Sequence, residues 1–527
     1  MAGIVLWIRY LVMTSQVLAA RRAALVYGET GRVTAYDPYT VHEASAKRLS
    51  DLIFDSLVET DAGGNYIPSL AREWKVENSG VSILFTLRDG VLWHPDPDGK
   101  ATNSLSPNDV VTTVRLLKSM ESDIPNSERF GVIAGVDVVA PNKVRIKFKR
   151  AMSDPLSAVL FKILPSHKLG SSPGLKRDAD FARQPIGTGP YIFKKANESG
   201  EVLLAANETH FRGRPSIREI VMKSYADQSI MAQSLMFNSL DLMTYVSPRD
   251  LGEIESDRRL STIPYDALSF SFFALNTSRG LLKDKRVRQA IGYAINREEM
   301  LGAFFGGQGT LISGPFPPTS WAYNLDVKQM KYEPARARKL LEETGLVYDR
   351  EKNVVRDRKG KAVKFVFAVP LSGESEVTKK IVLAFQEYLK AVGIETELEF
   401  MDWLIWKDKV LKDHNYDITV ASWSFDDSSN ITSLFHSSSA KPWGNNFVMY
   451  VNPEVDSLLT EANFTNDFEK RRAIYLKLHA ILADESPYTY LWTLTHHAAH
   501  NTRLKGVRVE PFSFFKHVAS WRLTNRE

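Results

Sequence analysis

The clearest pattern in the chain lies between residues 363 and 400. Val363, Phe365, Phe367 and Val369 recur at a period of two, which predicts a strand. From Glu376 to Val392 the spacing becomes helical, with Ile381, Phe385 and Leu389 in line and Gly393 as the stop. Ile394, Thr396, Leu398 and Phe400 alternate again. Strand, helix, strand in this order predicts a parallel pair joined by a helical crossover. Met401 to Leu411 supplies Trp403 and Trp406. Ile418 to Trp423 follows and reads as a buried strand. It breaks abruptly into Asp426-Asp427-Ser428-Ser429-Asn430, placing two adjacent carboxylates just past a strand end, beside Trp423 and Phe425. In α/β sheets that edge is where loops converge on a ligand. A solvated turn rich in Asp, Ser and Asn has the same composition.

The other patterns fit one mixed class. Leu25-Val26-Tyr27 is a short strand, and Pro38 forces an extended approach after Tyr36-Asp37. Ala44 to Val58 carries Leu49, Leu52, Ile53 and Leu57 at helical spacing. Val81 to Leu87 reads as a strand. Ser106-Pro107 starts a helix through Val110, Val114 and Leu117, a Ser cap with Pro at the first helical position. Val136–Val139 and Val144–Phe148 form a hairpin-like pair, Tyr191 opens a strand after Gly187-Thr188-Gly189-Pro190, and Ile220–Met222 is a further strand. Gln233–Phe237 reads as a helix and Leu240–Met243 as a strand. A fresh region begins near Phe270. There Asp284 caps a helix with Val287, Ile291, Ala294 and Ile295 on one face. Pro334 opens a helix stopped by Gly345, and Asn466 caps one carrying Leu476, Leu478, Ile481 and Leu482. The chain closes on short strands at Tyr490–Trp492 and Leu504–Val509.

Composition narrows the function. A chain of 527 residues exceeds one core and predicts two or three compact units. Against 67 Lys and Arg stand 62 Asp and Glu, a net charge of +5. There is no strong basic run with interleaved aromatics, so nucleic acid is not an expected partner. The absence of cysteine removes disulfides, thiolate metal sites, cysteine nucleophiles and a lipoprotein anchor, and fits an oxidising compartment. The first 20 residues look like an export signal ending at Val17-Leu18-Ala19-Ala20, although no Lys or Arg precedes the apolar run and Arg9 interrupts it. Fewer than 20 residues separate Met1 from Arg21-Arg22, which is short for a membrane span.

Four ordered stretches carry a family resemblance. They are Leu70-Ala71-Arg72-Glu73-Trp74 through His94 with Ser106–Val110; Gly187–Tyr191; Asn276-Thr277 with Asp284–Arg297; and Asn446-Phe447 to Asn452–Leu459. In this order they resemble the family 5 extracellular solute-binding proteins of bacteria, receptors of dipeptide, oligopeptide and nickel ABC importers. The resemblance implies an α/β, two-lobed periplasmic-binding-protein clamshell (type II, three-domain) that encloses its ligand between lobes. It implies a discontinuous domain I (21–50, 185–276 and 491–527), an inserted domain II (51–184) and a second lobe, domain III (277–490). It also implies a periplasmic, monomeric protein that docks at the membrane on an ABC permease with its ATPase subunits. In peptide-binding members an Asp in a Trp-…-Asp-Pro-x-Asn loop pairs with the ligand's α-ammonium. Trp423 to Asn430 looks like that loop, with Asp427 at the ammonium position. The loop is shorter here, and Ser428 stands where Pro is usual.

The ligand set follows from the residues and that resemblance. Asp427 suits an ammonium because an ion pair in a closed site is strongly directional. Asp426 reads as a solvated neighbour or as a carboxylate for a second cation, and Asn430 closes the loop motif. Trp403 and Trp406 read either as pocket faces for apolar side chains and sugars or as core. Trp423 reads more as buried support than as a contact. Tyr36, in a loop that faces the ligand in relatives, and Tyr265, near the crossover, complete the set. An oligosaccharide or opine receptor is the alternative within the family. A periplasmic hydrolase is an alternative outside it and requires a nucleophile–base pair or a metal cluster. His496-His497-x-x-His500 invites a metal reading only on a helix, and this stretch looks like strand by the resemblance. Arg286-Val287-Arg288 reads as a solvated helix face with salt bridges. No catalytic residue, metal or cofactor is expected, since no hydrolase or phosphate-loop motif occurs.

Overall fold

The structure, a computed structural model, describes residues 24–524 apart from positions 42, 62–64, 97–102, 126, 268, 372–374, 425–429, 466 and 512. The expected signal segment and the Asn466 cap lie outside these residues. The chain forms two compact units, Met1–Tyr265 with His496–Glu527, and Asp266–Thr495.

The first unit is built on a mixed sheet. Its strands run in the order Leu260–Asp266, Trp492–Asn501, Leu242–Met243, Ala24–Thr30, Glu219–Tyr225, Val202–Ala206 and Tyr191–Ala196. The strand Ala24–Thr30 is central and parallel to both neighbours. Its residues are buried on both faces, Leu25 and Tyr27 in one core cluster and Val26 in another. Covering both faces is what a parallel strand requires. A separate antiparallel sheet orders Ala71–Glu77, Ser82–Leu87, Lys143–Phe148 and Ile133–Ala140. The helix Pro107–Lys118 packs on it and begins with a full capping box between Ser106 and Asp109. Gly187 and Gly189 are required by close approach: a Cβ on Gly187 would fall 1.8 Å from the carbonyl oxygen of Ile53. The helix opening at Ala44 ends at Ile53, short of the expected Val58, because Phe54 is extended and Val58 starts a strand. The helix expected at Gln233–Phe237 is longer, Gln228–Met236, capped by the Asp227 carboxylate.

The second unit is organised on a five-stranded sheet, in the order Glu395–Asp402, Lys364–Leu371, Ile418–Ser424, Ser269–Leu275 and Tyr488–Tyr490. The expected β-α-β unit is present: Lys364–Leu371 and Glu395–Asp402 are parallel and joined by the helix Ser375–Ala391. Phe365, Phe367, Phe385 and Leu389 form one core face of the sheet; Phe270, Phe272 and Tyr488 form the other. Asp284 caps the helix Lys285–Ala294 through the backbone N–H of Arg286. The helix Phe468–Glu485 is capped by Asp467. Ile418–Ser424 is half-buried rather than buried, because only Ile418 and Thr419 are fully enclosed and the strand emerges towards Ser424. Arg288 corrects the reading of a solvated face. It is buried and donates to the backbone carbonyls of Glu485, Leu282 and Lys283. Among the described residues no helix is long and apolar enough to cross a membrane.

Candidate functional site

Strand register assembles the site in the second unit. Lys364–Leu371 runs parallel to both Glu395–Asp402 and Ile418–Ser424. The three strands therefore end at one sheet edge, at Leu371, Asp402 and Ser424. Ser269 pairs with Ser424 across an antiparallel ladder, so the chain enters the sheet at the same edge. Ser271 pairs with Ser422, and their hydroxyls lie 3.0 Å apart. Four serines thus give the edge a hydroxyl-lined surface, with Ser422 and Ser424 exposed. Asp426 and Asp427 follow directly in sequence and lie outside the described residues.

The tryptophans separate into two kinds. The helix Trp403–Lys407 starts at the strand end, with the Asp402 carboxylate accepting from the backbone N–H of Leu404. Its position turns Trp403 outward, 45% exposed, and Trp406 inward, 3% exposed. The rings stack with centroids 4.8 Å apart and planes 11° from parallel. Trp406 donates its indole N–H to Thr419 Oγ1 at 2.8 Å, which ties it to the sheet. Trp423 is half-buried. Its indole N–H donates to the Tyr488 hydroxyl at 3.1 Å, and its ring packs on Phe447. Asn430 is exposed; its Nδ2 donates to Asn463 Oδ1 and its Oδ1 accepts from the backbone N–H of Thr432. Trp403 and Ser424 thus follow strand ends at the same sheet edge, with the serines on the face opposite Trp406 and Trp423, and Asn430 comes six residues after Ser424 in the sequence.

Tyr36 and Tyr265 belong to the first unit. Tyr36 is half-buried against Phe193. Tyr265 donates to the Thr244 carbonyl at 2.8 Å and meets the edge of His496. Burial pushes the Tyr265 hydroxyl up to about 12. Beside it lies a pair the sequence pattern did not single out. Arg48 holds Glu29 with two bonds of 2.6 and 2.5 Å, and Glu29 also accepts from Thr244. A carboxylate inside the run Ala24–Thr30 is the signal that points to it, because an acidic residue in a buried strand needs a partner.

The hydrolase alternative has a concrete test. Ser313 Oγ lies 3.0 Å from His479 Nε2, both buried. His479 Nδ1 accepts the backbone N–H of Asn324 at 2.8 Å, so the ring proton sits on Nε2 and points at the serine. A ring that donates to the hydroxyl cannot take its proton, so this contact is structural. The stretch His496 to His500 is strand, within Trp492–Asn501. Four residues of strand separate the two rings' backbones by roughly 13 Å. His496 packs on Tyr245 and Tyr265, and His500 Nδ1 bonds the carbonyl of Asn501.

Residues 65–445 match the model of the bacterial extracellular solute-binding proteins, family 5. The chain is 28% identical over 507 residues to the oligopeptide-binding protein AppA of Bacillus subtilis, covering 95% of this chain and 91% of that one. The structure of AppA in complex with a nonapeptide superposes with a TM-score of 0.73 at 26% identity, over 95% and 99% of the two chains. The dipeptide-binding protein of Escherichia coli is 25% identical over 527 residues, covering 95% and 93%. HbpA2 from Haemophilus parasuis, at 20% identity, shares the fold with a TM-score of 0.84 over 96% and 100%.

Proposed function

The chain belongs to the bacterial extracellular solute-binding proteins, family 5, and from that premise we propose that it is the extracytoplasmic receptor of an ABC importer, taking up peptides. Two of its relatives are named for peptides, an oligopeptide and a dipeptide. The observation that carries the reading is the sheet edge formed by Leu371, Asp402 and Ser424. There Trp403 presents an exposed aromatic face just after Asp402, and Ser422 and Ser424 shortly precede the Asp426-Asp427 pair in the sequence. An apolar face beside hydroxyls and carboxylates matches a peptide's side chains, amides and terminal ammonium.

In this reading Asp427 pairs with the ligand's α-ammonium, and Asp426 stands beside it. Trp403 offers its face to a ligand side chain, backed by Trp406, and Trp423 with Asn430 holds the two ends of the loop. Tyr36 and Tyr265 are the first unit's contributions. The finer assignments belong to the same proposal: three domains (21–50 with 185–276 and 491–527; 51–184; 277–490), a cleaved segment 1–20, a periplasmic location, a monomer, and delivery to a permease with its ATPase subunits. Calorimetric titration of the mature protein with di- to pentapeptides tests it. Binding with one peptide per chain is the expected result; heat from none of them refutes the peptide assignment.

A further inference from the structure

The protein's positive charge is concentrated in one short segment of the second unit. Residues 350–361 hold six cations, Arg350, Lys352, Arg356, Arg358, Lys359 and Lys361, against two carboxylates, Glu351 and Asp357, a net of +4. The whole chain carries +5, so the remaining residues are nearly neutral together.

Folding fixes these charges without cancelling them. Val347–Asp349 and Val354–Arg356 pair as an antiparallel hairpin. Asn353 Nδ2 ties its tip to the carbonyl of Lys390 at 3.0 Å. A second turn follows at once. The Asp357 carboxylate accepts the backbone N–H groups of Lys359 and Lys361, each at 2.9 Å, and Arg356 Nη1 donates to the carbonyl of Gly360 at 3.0 Å. Gly360 closes that turn at φ +77°, a conformation that favours glycine. Asp349 holds Arg356 at 3.3 Å. Arg350, Arg358, Lys359 and Lys361 are exposed and form no ion pair among the described residues.

The segment lies at the far end of the sheet from the candidate site. It precedes Lys364, the first residue of the strand whose last, Leu371, reaches the site edge. Seven residue steps of strand span roughly 23 Å. A partner held here leaves that edge clear.

We propose that this basic hairpin is a membrane-contact surface that takes the anionic headgroups of a phospholipid bilayer. A protein partner is held chiefly by aromatic or apolar anchors seated in pockets. Here Val347 is the exposed apolar side chain, Val354 is half-buried and Val355 buried. The ring of Tyr348 lies under Arg338, and its hydroxyl donates to Asn353 at 2.6 Å. Charge without an anchor fits a diffuse negative surface, where each Lys or Arg is worth about fivefold in binding. For an extracytoplasmic receptor, such contact confines the search for a permease to the membrane plane. That use rests on the receptor reading, whereas binding to lipid does not.

The test is co-sedimentation of the whole protein with vesicles of phosphatidylglycerol and phosphatidylcholine in equal parts, with phosphatidylcholine alone as the control. At low ionic strength half-binding is expected at about 1 mM anionic lipid, and at about 0.5 M salt none is expected, because screening then acts within about 5 Å. The triple variant Arg350→Gln/Lys359→Gln/Lys361→Gln should lose about a hundredfold with an unchanged urea midpoint. A second triple variant, Arg183→Gln/Lys194→Gln/Lys195→Gln, removes the same charge from exposed positions of the first unit and should lose less than about fivefold. No peptide enters these measurements, so their outcome is separate from that of the peptide titration. The proposal is overturned if the anionic vesicles bind no protein at low salt, or if the two triple variants lose binding equally. It is also overturned if polyglutamate binds the protein and the vesicles do not, which would assign the surface to an acidic protein.

Discussion

The indole N–H of Trp406 donates to Thr419 Oγ1 at 2.8 Å, and that hydroxyl donates onward to the carbonyl of Ala368 at 2.7 Å. One chain of bonds thus links the short helix after Asp402 to the two strands that end at the candidate site. Trp403 stacks on the outer face of the same indole. Trp406 therefore serves structure, and Trp403 keeps its free face.

The two rings should respond differently to substitution. Trp406→Phe removes a buried hydrogen bond and leaves a void, and should cost about 1–3 kcal/mol of stability in urea unfolding. Trp403→Ala gives up a partly exposed stack and should cost about 1 kcal/mol or less. Its larger effect should be on affinity for peptides with bulky apolar side chains. Equal stability losses for the two variants would contradict the division.

A buried ion pair holds the first unit together across 262 residues. Arg503 donates to both oxygens of Asp241 at 2.7 and 2.6 Å, and the same carboxylate accepts the backbone N–H of Val26 at 3.0 Å. Asp241→Asn leaves the guanidinium buried beside a neutral amide. Removing one partner of such a pair costs about 3–5 kcal/mol. Chemical unfolding of the variant checks this, and a loss under about 1 kcal/mol would mean that the pair is replaceable by water.

Acid should destabilise the protein in a defined window. Burial holds His94 and His479 down at about 4, well below an unfolded histidine near 6.5. Between those values the unfolded chain binds more protons than the folded one, so stability falls as pH drops from about 6.5 to 4 and is unaffected by these rings above it. Each ring accounts for up to about 3 kcal/mol across the window. His479→Gln, which keeps hydrogen-bonding capacity without the titration, should flatten the slope. Stability measured by urea titration at stepped pH is the check, and an unchanged slope in the variant would contradict it.

Much of the second unit was legible in its sequence because its signals are local. The alternation at Val363–Val369 and Ile394–Phe400 and the helical run between them translate directly into a parallel pair, since period and length are set by nearby residues. The cap at Asp284 is equally local. Arg288 was not legible. Its anchors are the carbonyls of Leu282, Lys283 and Glu485, the last 197 positions away, and only the packed tertiary structure brings that one within reach. The same holds for Arg48 with Glu29 and for Trp423 with Tyr488, pairs made by strand register and not by spacing. For the site itself, composition pointed to the strand-end loop and to both tryptophans. It could not separate Trp403 from Trp406, because which side of a five-residue helix faces the sheet depends on the strands beneath it.

Whether Asp427 pairs with a peptide's α-ammonium is decided by titrating wild type and Asp427→Asn with one peptide in free and N-acetylated forms. Wild type should bind the free peptide and lose about 100-fold or more on acetylation. Asp427→Asn should bind the free peptide as weakly as wild type binds the acetylated one, with little further loss on acetylation. Wild type binding both forms equally, or Asp427→Asn matching wild type on the free peptide, would contradict it.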